Sequence, residues 1–247
     1  MRLDLSRTWT DAAGMIRANL DVVSGLAGMF VLLPGILSAW LLPEPVAKHG
    51  KATLSDLLAA NSAYVSAHWP SMAMSAIIVA FGSLALLALL IHRSRPTVAE
   101  ALRIALFALP AYVLANLLQS MIVLGGLMAL VLPGVYLIAR MICIAPVAAA
   151  ESQRNPVMIL MRSFALTRGN GWRIVLLLAV ILAVAVVLTS AISSVAGITA
   201  KLLLPPDLAR LALIIVSGLA ETALAVVLLA VSAAVYHQVG SAEPAPH

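Results

Sequence analysis

Charge is what this chain has least of. Asp, Glu, Lys and Arg make up only 10% of its residues. A soluble domain carries about 25%, because water-facing surface has to be covered. With 63% hydrophobic residues and a mean hydropathy of +1.07, the chain lacks the polar surface to face water, and lipid is its expected solvent. Cysteine is nearly absent too. The single Cys143 lies in an apolar run, which excludes an internal disulfide and a multi-thiolate zinc site and reads as a small buried residue.

Catalytic signatures are also missing. There is no HExxH, no Gly-rich phosphate loop, no GxSxG, no CxxC and no pair of acids within one apolar run. No catalytic residue, cofactor or metal is expected. His49 and His68 are too isolated to read as ligands. The net charge of +5 raises nucleic acid as a partner, but no reading module accompanies it and none is expected.

What the chain does have is long hydrophobic runs. A bilayer core of about 30 Å takes about 20 apolar residues in a helix. Six runs qualify: Val22–Leu42, Ser71–Ile91, Ile104–Leu130, Gly134–Ala150, Ile174–Ile198 and Leu208–Tyr236. The expected fold is all-α, a polytopic membrane bundle of about six transmembrane helices with short interfacial helices. The expected organisation is an amphipathic cytoplasmic segment over 1–21, a six-span domain over 22–236 and a disordered cytoplasmic tail over 237–247. Val131-Leu132-Pro133 separates the third and fourth runs. Proline removes a helix donor and Gly134 permits a sharp turn, so a tight hairpin is expected there. Pro34-Gly35 predicts a kink in the first span, since neither half alone would cross. That span reads as uncleaved, because the stretch before it is long and carries Asp4, Asp11 and Asp21.

Loop charges orient the bundle. With the N-terminus inside, the inner segments hold Arg2, Arg7, Arg17, Arg93, Arg95, Arg103, Arg154, Arg162, Arg168 and Arg173. The outer segments hold Lys48, Lys51, Lys201 and Arg210. Ten against four is a positive-inside bias that places both termini in the cytoplasm of a bacterial inner membrane.

Three inner stretches, Leu5–Leu20, Thr97–Leu106 and Pro156–Leu166, mix apolar and basic residues just before a span. Interfacial helices and plain connectors are both open readings. In the first stretch Leu5, Trp9, Ala12, Ala13 and Ile16 share a helical face, away from Arg7 and Arg17. Thr97 with Glu100 has the spacing of a helix cap. In the outer loop Pro43–Pro70, Thr53-Leu54-Ser55-Asp56 reads as the start of a surface-lying helix, with Trp69 as an interfacial anchor. Arg17-Ala18-Asn19 and Arg168-Gly169-Asn170 each precede a span, and Leu33-Pro34-Gly35 echoes Leu132-Pro133-Gly134.

Polar groups within the apolar runs are the best pointers to function, because they are costly there. Asn116 and Gln119 lie three apart on one face. Arg140 and Glu221 lie in different spans, with backbones roughly 10 Å apart in depth at 1.5 Å per residue. An Arg140–Glu221 pair, a snorkelling Arg140 and a protonated Glu221 are all open. Thr189, Ser190, Ser193, Ser194 and Gly197 read as helix-packing positions.

The segment Leu132-Pro133-Gly134-Val135-Tyr136, Ala145-Pro146-Val147, Glu151 and Met161-Arg162-Ser163-Phe164-Ala165-Leu166-Thr167-Arg168-Gly169-Asn170-Gly171-Trp172-Arg173 resembles the YciC-type family of uncharacterised bacterial inner-membrane proteins. It is also similar to the membrane domain fused to some glycerophosphodiester phosphodiesterases. The resemblance implies a six-span inner-membrane protein and no catalysis, since hydrolysis in the fused proteins belongs to a separate soluble domain. The matching juxtamembrane residues are Arg162, Ser163, Arg168 and Asn170. The functional expectation is a non-enzymatic membrane domain that meets lipid headgroups, a partner membrane protein or another copy of itself at these residues. The rival expectation is a small-solute or lipid transporter lined by Asn116, Gln119, Arg140 and Glu221.

Overall fold

The structure is a computed structural model that describes residues 3–42, 53–92, 96–151 and 153–240. Expectations resting on Arg2, Lys48, His49, Lys51, Arg93, Arg95 and tail residues 241–247 fall outside them. Helices α1 (Leu5–Ala18), α2 (Leu20–Ala27) and α3 (Leu33–Leu41) open the chain, with a wide π turn at Gly28–Leu32 joining the last two. They are followed by α4 (Leu54–Ile91), α5 (Val98–Ala129), α6 (Val131–Arg140), α7 (Ile144–Ala150), α8 (Pro156–Leu166), α9 (Gly171–Leu203) and α10 (Pro206–Gly240). Six of the resulting helical stretches are long and apolar enough to cross a membrane. The chain is an all-α, multi-pass integral membrane protein.

Prolines decide where the spans bend. Pro34 has no N–H for the Phe30 carbonyl, and its ring crowds that carbonyl. The backbone absorbs this by widening: the Leu33 N–H reaches back five residues to Gly28. The expected kink is therefore a π turn inside a continuous first span, Leu20–Leu41. Phe30 packs edge-on to Phe81 with ring centroids 5.4 Å apart. Its Cβ also lies close enough to Gly82 to leave no room for a side chain there.

Helices run longer than hydropathy alone predicts. The surface helix expected before Pro70 is the first half of α4, which continues without a break through Pro70. Its 38 residues measure about 57 Å, against about 30 Å of hydrocarbon, so one end stands clear of the membrane. The stretch before Pro70 is more polar than the rest, but the backbone carries on as helix. Thr53 and Asp56 form the capping box at its start. Likewise Thr97 and Glu100 cap α5 itself, so Thr97–Leu106 is the first part of a span rather than a separate interfacial helix. Residues His237–Gly240, expected in the tail, belong to α10.

The α5–α6 hairpin turns at Leu130 alone, whose extended backbone separates the two helices. Pro133 sits within the first turn of α6, where helix donors have no partner in any case. Gly134 serves close approach instead of turning: a Cβ on Gly126 would lie 3.2 Å from the Gly134 Cα.

Packing is uneven along the bundle. The fully buried large side chains include Leu84, Leu86 and Leu87 of α4, Ile144 and Val147 of α7, Ile159 of α8, Ile174 of α9 and Val231 and Val235 of α10. All lie toward the end where α4 and α10 finish and α5 and α9 begin. That basic end also carries Arg7, Arg17, Arg103, Arg154, Arg162, Arg168 and Arg173. Toward the other end α9 and the α5–α6 hairpin expose rows of aliphatic side chains, including Met128, Leu132, Val187 and Leu202. Lipid is the solvent that such a surface requires.

Candidate functional site

The fourth span is discontinuous, and the break organises the basic end. Pro146 removes the donor that the Ile142 carbonyl would take and crowds it. The chain tightens into short turns over Met141–Cys143: Ile142 N–H goes to Ala139 O at 3.4 Å and Ile144 N–H to Met141 O at 3.1 Å. The Arg140 carbonyl thereby loses its helical partner. Two hydroxyls from α8 and its C-terminal turn replace that partner, Ser163 Oγ and Thr167 Oγ1, each at 3.0 Å. The Arg140 guanidinium returns the contact, donating to the Phe164 carbonyl at 2.6 Å and lying 5.3 Å from that ring's centroid.

Arg140 is therefore spent on α8. Among the described residues no ion pair joins it to Glu221. Glu221 is exposed on α10, facing outward from the bundle. Asn116 and Gln119 are half-buried on α5, which packs on α4, α6, α7 and α8, whereas α10 packs mainly on α9, α1 and α4. The four intramembrane polar residues do not converge on one cavity.

The juxtamembrane residues divide. Helix α8 has the bounds expected for the third interfacial stretch, Pro156–Leu166, with Ile159, Leu160 and Ser163 turned into the core. Arg162 Nε donates to both Glu151 carboxylate oxygens at 3.2 Å, and the Tyr236 hydroxyl donates to Glu151 Oε1 at 3.1 Å. This half-buried triad ties α8 to the ends of α7 and α10. Gly169 takes a left-handed φ of 78°, which reverses the chain before α9. Buried Asn170 accepts the Leu3 N–H on Oδ1 at 2.9 Å, and Arg173 donates to the Leu3 carbonyl at 2.7 Å. Asp4 N–H meets Gln238 Oε1 at 3.3 Å. These bonds strap the start of α1 across the ends of α9 and α10.

Thus Ser163 and Asn170, expected at lipid headgroups or a partner protein, are buried in internal bonds, and Arg162 is tied to Glu151. Arg168 is the member of the set that stays exposed. Glu151, Thr167, Arg173 and Tyr236 complete the arrangement. Thr167 carried a signal, four residues from Ser163 on the same helical face. The Leu3 partners lie far away in sequence and carried none. The Asn19 and Asn170 echo is only formal: the Asn19 side chain is exposed and donates back to Met15 O.

Two grooves flank α1. One, of about 960 Å³, is polar; it runs between α1 and the ends of α4 and α10, with Arg7, Asp11, His92 and Arg168 among its lining residues. At its margin the Ser6 hydroxyl, then the Arg7 backbone N–H, hold the Asp4 carboxyl below the usual aspartate range. The other, of about 650 Å³, is apolar and runs between α9 and α10. Cys143 is buried. Among the described residues no group of three His, Cys, Asp or Glu side chains is placed to hold a metal ion.

These features define a polytopic membrane protein with a dense, strapped, basic end and a lipid-exposed remainder. No protein-family model, curated protein or solved structure matches the chain.

Proposed function

We propose that the chain is a non-enzymatic protein of the bacterial inner membrane, of the YciC type, whose basic end lies in the cytoplasm and binds anionic lipid headgroups. The observation that carries this reading is the polar groove along α1, with Arg7 and Arg168 exposed beside it, at the end richest in arginine. The cytoplasmic leaflet carries a negative surface potential, and each basic residue near it contributes about 1 kcal/mol of attraction. The scattering of Asn116, Gln119, Arg140 and Glu221 supports binding over passage of a polar solute.

Native mass spectrometry of the protein released gently from its own membrane tests the reading. Bound anionic lipid that is lost in Arg168→Glu supports it. A bound protein subunit or second copy in place of lipid replaces it with a partner-docking role. A bare chain overturns both.

Transport has one observation on its side, the broken fourth span, since transporters build sites from discontinuous helices. Small-solute uptake into proteoliposomes that stops in Arg140→Gln, beside the break, would establish that role. Absent uptake removes it.

A further inference from the structure

Helices α9 and α10 touch at the hairpin that joins them, where a Cβ on Gly197 would lie 3.6 Å from a Leu213 methyl. Nearer the basic end a groove of about 650 Å³ lies between them, lined on α10 by the small residues Ala220 and Ala223. Leu5, Ser6 and Trp9 of α1 cross its end. Its polar lining side chains are already engaged. Thr189 donates to Ala185 O at 2.8 Å and Ser6 to Asp4 Oδ1 at 2.8 Å. Nothing inside it rewards a polar ligand.

Dimensions narrow the occupant. From Leu176 to Ile192 the groove follows α9 for about 24 Å at 1.5 Å per residue. That is longer than one leaflet's share of a hydrocarbon core of about 30 Å. The groove is open to one side along that length, and α10 walls it only from Ala220 to Val227, about 10 Å. A single extended hydrocarbon chain has the length and the apolar surface to follow it.

Charge completes the assignment. Arg173 precedes Leu176 and Leu177 by three and four residues, on the face of α9 that lines the groove. Its guanidinium sits at the basic end, giving one donor to Leu3 O at 2.7 Å. A guanidinium has five donors, and phosphate is a ligand it favours. Trp9, half exposed at the same end, has the amphipathic ring that settles at headgroup level. We infer that this groove holds one acyl chain of an anionic glycerophospholipid from the basic-end leaflet, its phosphate at Arg173 and its chain running along α9 beneath Trp9. The inference rests on the reading that the basic end binds lipid headgroups, and assigns it a second, structurally separate site.

The test uses full-length protein whose other tryptophans (Trp40, Trp69 and Trp172) are Phe, in vesicles of phosphatidylcholine with and without phosphatidylglycerol. With lipids brominated on the acyl chain, Trp9 fluorescence is quenched more strongly by brominated phosphatidylglycerol than by brominated phosphatidylcholine. Ala223→Phe fills the groove from an exposed position and removes the extra quenching. Arg173→Gln keeps a donor for Leu3 O, preserves helicity, and weakens the phosphatidylglycerol preference about tenfold, the scale of one charge-assisted contact. Arg168→Glu leaves the Trp9 signal unchanged. Equal quenching by both lipids, or full quenching in Ala223→Phe, overturns the groove assignment whatever Arg168→Glu does to headgroup binding. Loss of all phosphatidylglycerol preference in Arg168→Glu alone leaves the proposed function standing and removes this site.

Discussion

The Ser163 hydroxyl donates to the Arg140 carbonyl at 3.0 Å, and it does so because Pro146 has denied that carbonyl its place in a helix. Thr167 Oγ1 stands at the same distance from that oxygen, its one hydrogen shared with the Ser163 carbonyl at 2.7 Å, so it can turn to the Arg140 carbonyl when Ser163 is lost. Ser163→Ala and Thr167→Val should each cost under about 1 kcal/mol. The double variant leaves the acceptor bare and should cost about 1–3 kcal/mol, more than the two singles together. Equilibrium unfolding in mixed detergent micelles measures the difference. Strict additivity would show that the shared acceptor is unimportant.

Two ion pairs should behave differently. The side chains of Arg162 and Glu151 are 34% and 25% exposed, and Tyr236 adds a third partner. Those of Arg7 and Asp11 are 71% and 43% exposed at a separation of 3.7 Å. Water screens the second pair, and its coupling should fall below about 0.5 kcal/mol. The first should couple by about 1–3 kcal/mol, because its donor and acceptor both lose water on folding. Double-mutant cycles on the two pairs, in the same detergent, compare them directly.

The hairpin offers an internal control. Gly125 has open space around it, whereas Gly134 would drive a Cβ to 2.9 Å from the Leu127 backbone nitrogen. Gly125→Ala should be neutral or slightly stabilising, by up to about 1 kcal/mol. Gly134→Ala should lose about 1–3 kcal/mol, as overpacked sites do. Thermal unfolding of the two variants side by side reads this out. Equal midpoints would mean that α5 and α6 approach less closely than described.

Acid should loosen α1 first at its cap. The Asp4 carboxyl accepts from Ser6 Oγ at 2.8 Å and from the Ser6 and Arg7 N–H groups at 3.0 and 3.2 Å. These bonds, the Ser6 hydroxyl foremost, depress its pKa in the folded protein. Stability held by a depressed carboxylate is present above the unfolded pKa, about 3.9, and is lost as pH falls through the lower folded value. Exchange of the Ser6 and Arg7 amides, corrected for intrinsic rate, should therefore accelerate only below about pH 4. Asp4→Asn keeps a capping oxygen that does not titrate, and should abolish that pH dependence.

Much of the architecture was legible because lipid imposes it. Six long apolar runs, the Thr53 and Thr97 caps and the bounds of α8 follow from local rules of length, capping and proline placement. The misplacements share a cause. Before Pro70 the composition turns more polar, which reads as a separate surface-lying helix, although the backbone continues as one helix. In the fourth span Pro146 marks the break, but its effect falls four residues earlier, at Ile142, where no local breaker stands. The roles of Arg140 and Asn170 were hidden more deeply. Their partners, Phe164 and Leu3, are set by tertiary packing, and hydropathy assigns a charged residue in a span to another charge when a backbone carbonyl serves as well.

The strap across α1 also sets an order of events. Leu3 is synthesised 167 residues before Asn170, and Asp4 precedes Gln238 by 234. Neither bond exists until α9 and α10 have been threaded into the membrane. Helix α1 is therefore among the first elements made and the last to be latched.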